Sequence, residues 1–243
     1  MRTIKTLALV TGLLALSGVS QAQFSSTWTA VSDYDFRGFS QSSKDPALQA
    51  SADYAFGSSG FSIGAWASNV DFGDTVDGDV ELDLYAAYVG KINDTFSWTV
   101  GFTRYNYPGS SASATKAKIG EYFEYYAGFN AGNFGFKQWF ADDFYELGDS
   151  AEYTEANYTQ PIGDKFSLAL HAGYSWGNYW KDTFGSELFD YAVQGNFVAG
   201  KFTLFAKFTG TDASGIYKIK SDAGNNEPRF LVGVMTTFPW ASK

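Results

Sequence analysis

Residues 166–176 read FSLALHAGYSW. Phe166, Leu168, Leu170, Ala172, Tyr174 and Trp176 alternate with Ser167, Ala169, His171, Gly173 and Ser175. A period of two sends the two sets to opposite faces of a strand, and nothing in the run drifts toward the 3.6 of a helix. The same alternation covers Thr27 to Phe36 and Leu48 to Phe56. Twelve such segments are predicted, at about 24–36, 46–57, 60–71, 80–91, 96–107, 120–131, 133–143, 152–161, 165–176, 187–198, 201–211 and 228–240. Most are roughly twice the length usual in soluble proteins. No composition break divides them, so one all-β domain is expected.

The connections take turns in length. GSSG (57–60), INDT (92–95), GN (132–133), IGDK (162–165) and AG (199–200) are tight. Between them lie GFSQSSKD (38–45), GDTVDGD (73–79), PGSSASATKAKIG (108–120), DFYELGDSAE (143–152), GNYWKDTFGS (177–186) and DASGIYKIKSDAGNNE (212–227). All long loops thus gather at one end, as in transmembrane up-and-down antiparallel β-barrels with short periplasmic turns and longer external loops.

Three features put the apolar row outside. The polar row is mostly Gly, Ser, Thr, Asn and Ala, with few of the long charged side chains of a solvated surface. Rings sit toward the ends of the apolar rows, as in Trp28 with Tyr34 and Phe36, or Phe166 with Tyr174 and Trp176. Twelve steps from Phe24 to Phe36 give about 40 Å, which a tilt near 40° projects to roughly 30 Å across the apolar band. On this reading Tyr34 and Phe36 meet lipid, while Asp33, Asp35 and Arg37 face or crown a wet interior.

Residues 1–22 have a basic start at Arg2 and Lys5, an apolar stretch from Leu7 to Leu16 and a small-x-small end at Ser20–Ala22. This is the layout of a secretory signal peptide cleaved after Ala22, leaving a barrel over 23–243. Its loss takes the net charge from −9 to −11, so nucleic acid is not an expected partner. Without cysteine there is no disulfide, thiolate metal site or cysteine nucleophile. After the signal, no apolar run reaches the ~18 residues of a transmembrane helix.

SDYDFRGFSQSSKDPALQASADY (32–54), GFSIGAWASNVDF (60–72), ELDLYAAYVG (81–90) and RYNYPG (104–109) resemble the proteobacterial family of outer-membrane porins of the TorF type. The resemblance runs from about Ser32 to Tyr174 and implies an outer-membrane β-barrel with a channel role. It brings no catalytic residue and no substrate. The final strand, FLVGVMTTFPW, is similar to the C-terminal signal of barrel proteins, with Pro239 marking its end.

The expected function is passive diffusion of small hydrophilic solutes through a narrow pore, with modest cation selectivity. Predicted pore-lining residues are Asp33, Asp35, Asp53, Glu81, Asp83, Glu124, Lys137, His171, Asp190 and Lys207. Asp33, Asp35, Glu81, Asp83, Glu124 and Asp190 are expected in the outer half of the strands, where low-dielectric walls would focus their field on cations. Expected partners are the small solutes or ions, outer-membrane lipids, lipopolysaccharide and the barrel-assembly machinery, in a Gram-negative outer membrane. No catalytic residue, cofactor or resident metal is expected. The acidic run Asp71, Asp74, Asp77, Asp79, Glu81 and Asp83 departs from EF-hand spacing and reads as a solvated loop sharing divalent ions at the surface. Two alternatives differ in class. One is an outer-membrane hydrolase using His171, the only histidine; the other is a non-conducting structural or adhesion barrel.

Overall fold

A computed structural model describes residues 23–240. The signal-peptide reading of 1–22 lies outside the described residues. Twelve strands build the wall: β1 Gln23–Val31, β2 Ala47–Ala55, β3 Phe61–Asn69, β4 Val80–Lys91, β5 Phe96–Asn106 and β6 Tyr122–Ala131 in the first half. The second half is β7 Phe134–Ala141, β8 Ala151–Ile162, β9 Phe166–Trp176, β10 Leu188–Ala199, β11 Phe202–Thr211 and β12 Arg229–Phe238. Each pairs antiparallel with the next, and β1 also pairs with β12, from Ser26 opposite Phe238 to Val31 opposite Gly233. The sheet is therefore a closed barrel, and no strand edge is left unpaired in the wall.

Alternation along the strands becomes inside and outside. On β9, Phe166, Leu168, Leu170, Tyr174 and Trp176 are exposed on the outer wall, while Ser167, Ala169 and Ser175 are buried within. The same split leaves Phe24, Trp28, Leu48, Ile63, Leu84 and Val193 exposed and turns Ser25, Thr29, Glu81, Thr99 and Thr203 inward. A large apolar belt on the outside of a protein marks contact with another apolar phase.

The tight turns and the long loops segregate to opposite ends of the barrel, since every consecutive strand pair is antiparallel. The long-loop end is filled. Tyr105, Tyr107, Tyr122, Phe144 and Trp180, with Ile119 among them, form its buried hydrophobic cluster, and Phe36, Phe39 and Phe72 pack against it. A short helix, α1 (Asn178–Phe184), supplies Trp180 from the loop between β9 and β10. The loops before β4 and β6 are joined by a parallel pairing of Val76–Asp77 with Ala117–Lys118.

One boundary differs from the sequence reading in a way that matters for function. The first strand leaves the wall at Val31, well before Phe36. Residues 35–36 and 39–40 pair as a miniature hairpin, Phe36 opposite Phe39, around Arg37 and Gly38. Both turn residues have positive φ, 51° and 85°, the pattern of a two-residue type I′ turn. A Cβ at Gly38 would lie 2.5 Å from Thr211 Cγ2, so glycine is needed for space as well as for φ.

Candidate functional site

The hairpin between β1 and β2 does not extend the wall but reaches across the lumen. Its residues touch the barrel on nearly every side. Tyr34 donates its hydroxyl to Glu81 on β4 at 2.8 Å. Phe36 packs edge-on against Tyr105 of β5, and Phe39 meets Trp180 and Phe184 of α1. Arg37 reaches Glu124 on β6 at 2.7 Å, and its guanidinium carbon lies 4.1 Å from the ring centroid of Tyr153 on β8. Four strands spread from β4 to β8 and a helix beyond β9 cannot all be reached by a segment lying against one wall. The first loop is a plug.

Its charges are matched. Arg229, the first residue of β12, donates Nε to Asp33 and Nη2 to Asp35, each at 2.6 Å, and Nη1 to the Gly38 carbonyl at 2.7 Å. Lys207 on β11 closes on Asp35 at 2.6 Å. Tyr105 donates to the same Glu124 oxygen that binds Arg37, at 2.9 Å. Burial works against ionising Asp35, but Lys207 and Arg229 outweigh it and hold the carboxyl below its ordinary range. Burial likewise opposes the charge on Arg37, and Glu124 overcomes it, so the guanidinium stays protonated. Opposite charges held this closely in a water-poor space are anchored far more firmly than exposed pairs.

These contacts correct the sequence reading of residues 32–37. Tyr34 and Phe36 do not face lipid: Tyr34 is buried, with its hydroxyl on Glu81, and Phe36 belongs to the internal aromatic cluster. Asp33 and Asp35 are not on a wall strand, and they do not offer open charge to the outside, because basic partners neutralise them. The chain leaves the wall at Val31, and the type I′ turn at Arg37–Gly38 then reverses it inside the mouth, where Glu81, Glu124, Lys207 and Arg229 hold it.

The remaining residues are spread around the lumen. Glu81 and Asp83 sit side by side on β4, both buried. Asp53 on β2 accepts from Tyr85 at 2.5 Å and from Ser51 at 2.7 Å. Among the described residues no basic group lies within 4 Å of Asp53, Glu81 or Asp83. Lys137 on β7 stands opposite Glu155 of β8, its ammonium 5.0 Å from the centroids of Tyr126 and Trp139.

His171 on β9 is held on both ring nitrogens. Nδ1 lies 2.7 Å from Asn157 Oδ1, and Nε2 lies 2.9 Å from both Tyr153 OH and Asp190 Oδ1. A Cβ at Gly173 would collide with Tyr153 and Asp190, so this glycine lets the three groups converge. Ser167 is engaged elsewhere, by the amide of Asn196 at 3.2 Å. The histidine thus has carboxylate, amide and phenol partners, with no serine or threonine hydroxyl bonded to it among the described residues.

Arg229 and Tyr153 were not singled out in the sequence. Arg229 follows the loop proline at the very start of a strand, where alternation carries least information. Tyr153 reads as one more aromatic, yet its parity on β8 is that of Glu155, which was a usable signal for the inside.

A family model described as "Bacterial protein of unknown function (Gcw_chp)" matches residues 15–238. The chain belongs to this family. Among curated proteins no match is found. The fold of this Gcw_chp member is similar to those of solved porins. The NanC porin aligns with a TM-score of 0.56 at 11% identity, over 90% of this chain and 100% of that one. The KdgM porin aligns with a TM-score of 0.54 at 11% identity, over 88% and 99%. The toluene transporter TodX of P. putida aligns with a TM-score of 0.50 at 7% identity, over 93% and 92%. Identities this low speak for the shared barrel architecture alone.

Proposed function

We propose that the protein is an outer-membrane channel for passive diffusion of small hydrophilic solutes, closed at its outer end by the first loop. One observation carries the reading: a closed barrel with an apolar outer belt and a lumen lined by charged and small polar side chains. In hydrocarbon every backbone group must be satisfied within the protein, and a closed barrel does this. A polar interior has no use in a merely structural wall, and it favours water and solutes. Similarity of the fold to solved porins supports the same reading.

Modest cation selectivity is part of the proposal. Asp53, Glu81 and Asp83 have no close basic partner, whereas Asp33, Asp35 and Glu124 do, so acids outnumber their basic partners along the lumen. The matched plug favours a second reading, a barrel that does not conduct at rest. Planar-bilayer recording of the purified chain separates the two. Arg37→Ala, which removes the anchor to Glu124, is expected to raise unitary conductance or open probability above wild type. The open state should give a reversal potential of cation-selective sign in a dilute KCl gradient, reduced by Asp53→Asn with Asp83→Asn. No current in either protein would sink the channel, and an anion-selective sign would sink the selectivity.

A further inference from the structure

On the outer side of the plug the long loops enclose a cavity of about 340 Å³. Its wall is dominated by rings, among them Phe39, Phe72, Phe144, Tyr179, Trp180 and Phe184. The volume falls at the small end of the range for ligand pockets, enough for a ring system with a short substituent. Stacked and edge-on rings of this kind favour a planar aromatic guest.

Two residues in the lining carry buried donors that find no partner among the described residues: Arg37 Nη1 and Trp180 Nε1. Trp180 is 4% exposed and Arg37 is 9% exposed. A buried N–H without an acceptor is costly, and nearly all such groups in native proteins are satisfied. Both groups are donor-only, so whatever satisfies them from the cavity must bring an acceptor.

The charges decide which acceptor. Arg37 is already matched by Glu124 at 2.7 Å, and Lys118, the other cation of the lining, lies 3.7 Å from Glu146. An anion would therefore lose its hydration without gaining an unmatched counter-ion. A sugar fares no better. Ser40 already donates to Asp33 and accepts from the Lys44 amide, so most hydroxyls of a polyol would go unpaired in a wall of rings.

We propose that this cavity is a binding site for small neutral aromatic compounds carrying one acceptor oxygen, such as aryl ketones or aldehydes. The ring stacks among the loop aromatics and the oxygen accepts from Trp180 Nε1 and Arg37 Nη1. The cavity is lined by the long loops together with Arg37 and Phe39 of the plug, but its occupancy is read without current, so it stands or falls separately from the channel.

Calorimetric titration of the full-length protein in detergent, against a micelle blank, tests it with three ligands of similar shape. Acetophenone is expected to bind saturably, ethylbenzene and benzoate each at least several-fold more weakly. Trp180→Phe keeps the ring and removes the N–H, and should weaken acetophenone on the order of fivefold while leaving ethylbenzene unchanged. Val76→Trp, placed in a loop to fill the cavity, should abolish binding while the barrel still migrates as a folded species in unheated gels. The proposal is overturned by non-saturable uptake of acetophenone, by equal binding of ethylbenzene, by tighter binding of benzoate, or by full affinity in either variant.

Discussion

Arg37 and Glu124 meet inside the barrel mouth, both buried, and removing either alone strands the other as a buried charge. Such loss typically costs about 3–5 kcal/mol, far more than a surface pair contributes. The apolar belt obeys the opposite rule. Leu168 points outward from β9 and is 37% exposed, in a wall position that meets lipid if the barrel spans a bilayer. Leu168→Arg is therefore expected to destabilise the barrel by about 2–4 kcal/mol. Gln194→Arg is the control, on the neighbouring strand but facing the lumen beside Asn196, and should cost clearly less. Urea titration in lipid vesicles measures both, and equal costs would contradict the assignment of faces.

At the scale of elements, a short turn decides what the first loop does. Phe36-Arg37-Gly38-Phe39 closes a hairpin small enough to enter the barrel mouth, and its flanking carboxylates find Arg229 and Lys207 there. Asp35 is faced by Lys207, Arg229 and Thr209, and the two cations hold its carboxyl below the ordinary value of about 4. A lowered carboxylate strengthens the docked state above that ordinary value, and the contribution disappears as pH falls through the still lower docked value. The plug should therefore stay seated from neutral pH down to about pH 4 and loosen below it. Bilayer conductance is expected to rise reversibly as pH falls below about 4, with a smaller response in Asp35→Asn. A wild-type current that falls steadily through this window would count against release of the loop.

For the whole molecule, antiparallel closure sends every long loop to one end and every tight turn to the other. If the barrel sits in the outer membrane with its turns in the periplasm, a tag between Ala114 and Thr115 should be reached by antibody on intact cells. A tag in the 57–60 turn should be reached only after permeabilisation. Labelling in the reverse order would invert the barrel. The filled mouth also explains why a twelve-stranded ring, intermediate between barrels that side chains fill and open aqueous channels, need not leak.

Much of this was legible in one dimension. Period-two alternation over β9 gives a strand and its two faces, and alternating loop lengths give an up-and-down barrel, because both depend on neighbours along the chain. The inward parity of Glu81, Asp83, Glu124 and Asp190 followed from the same rule. Residues 32–46 obey it only in appearance: their rings and charges alternate, yet Tyr34 donates to Glu81 and Arg37 reaches Glu124, 87 positions away. The cue was local, an Arg-Gly pair between two phenylalanines, but a turn sets only where the chain reverses. Its direction depended on partners waiting inside, Arg229 and Lys207 for the acids and Tyr105 and Trp180 for the rings, which closure of the barrel brings together from distant strands. Strand and face are properties of a segment, whereas the plug is a property of the space that twelve segments enclose.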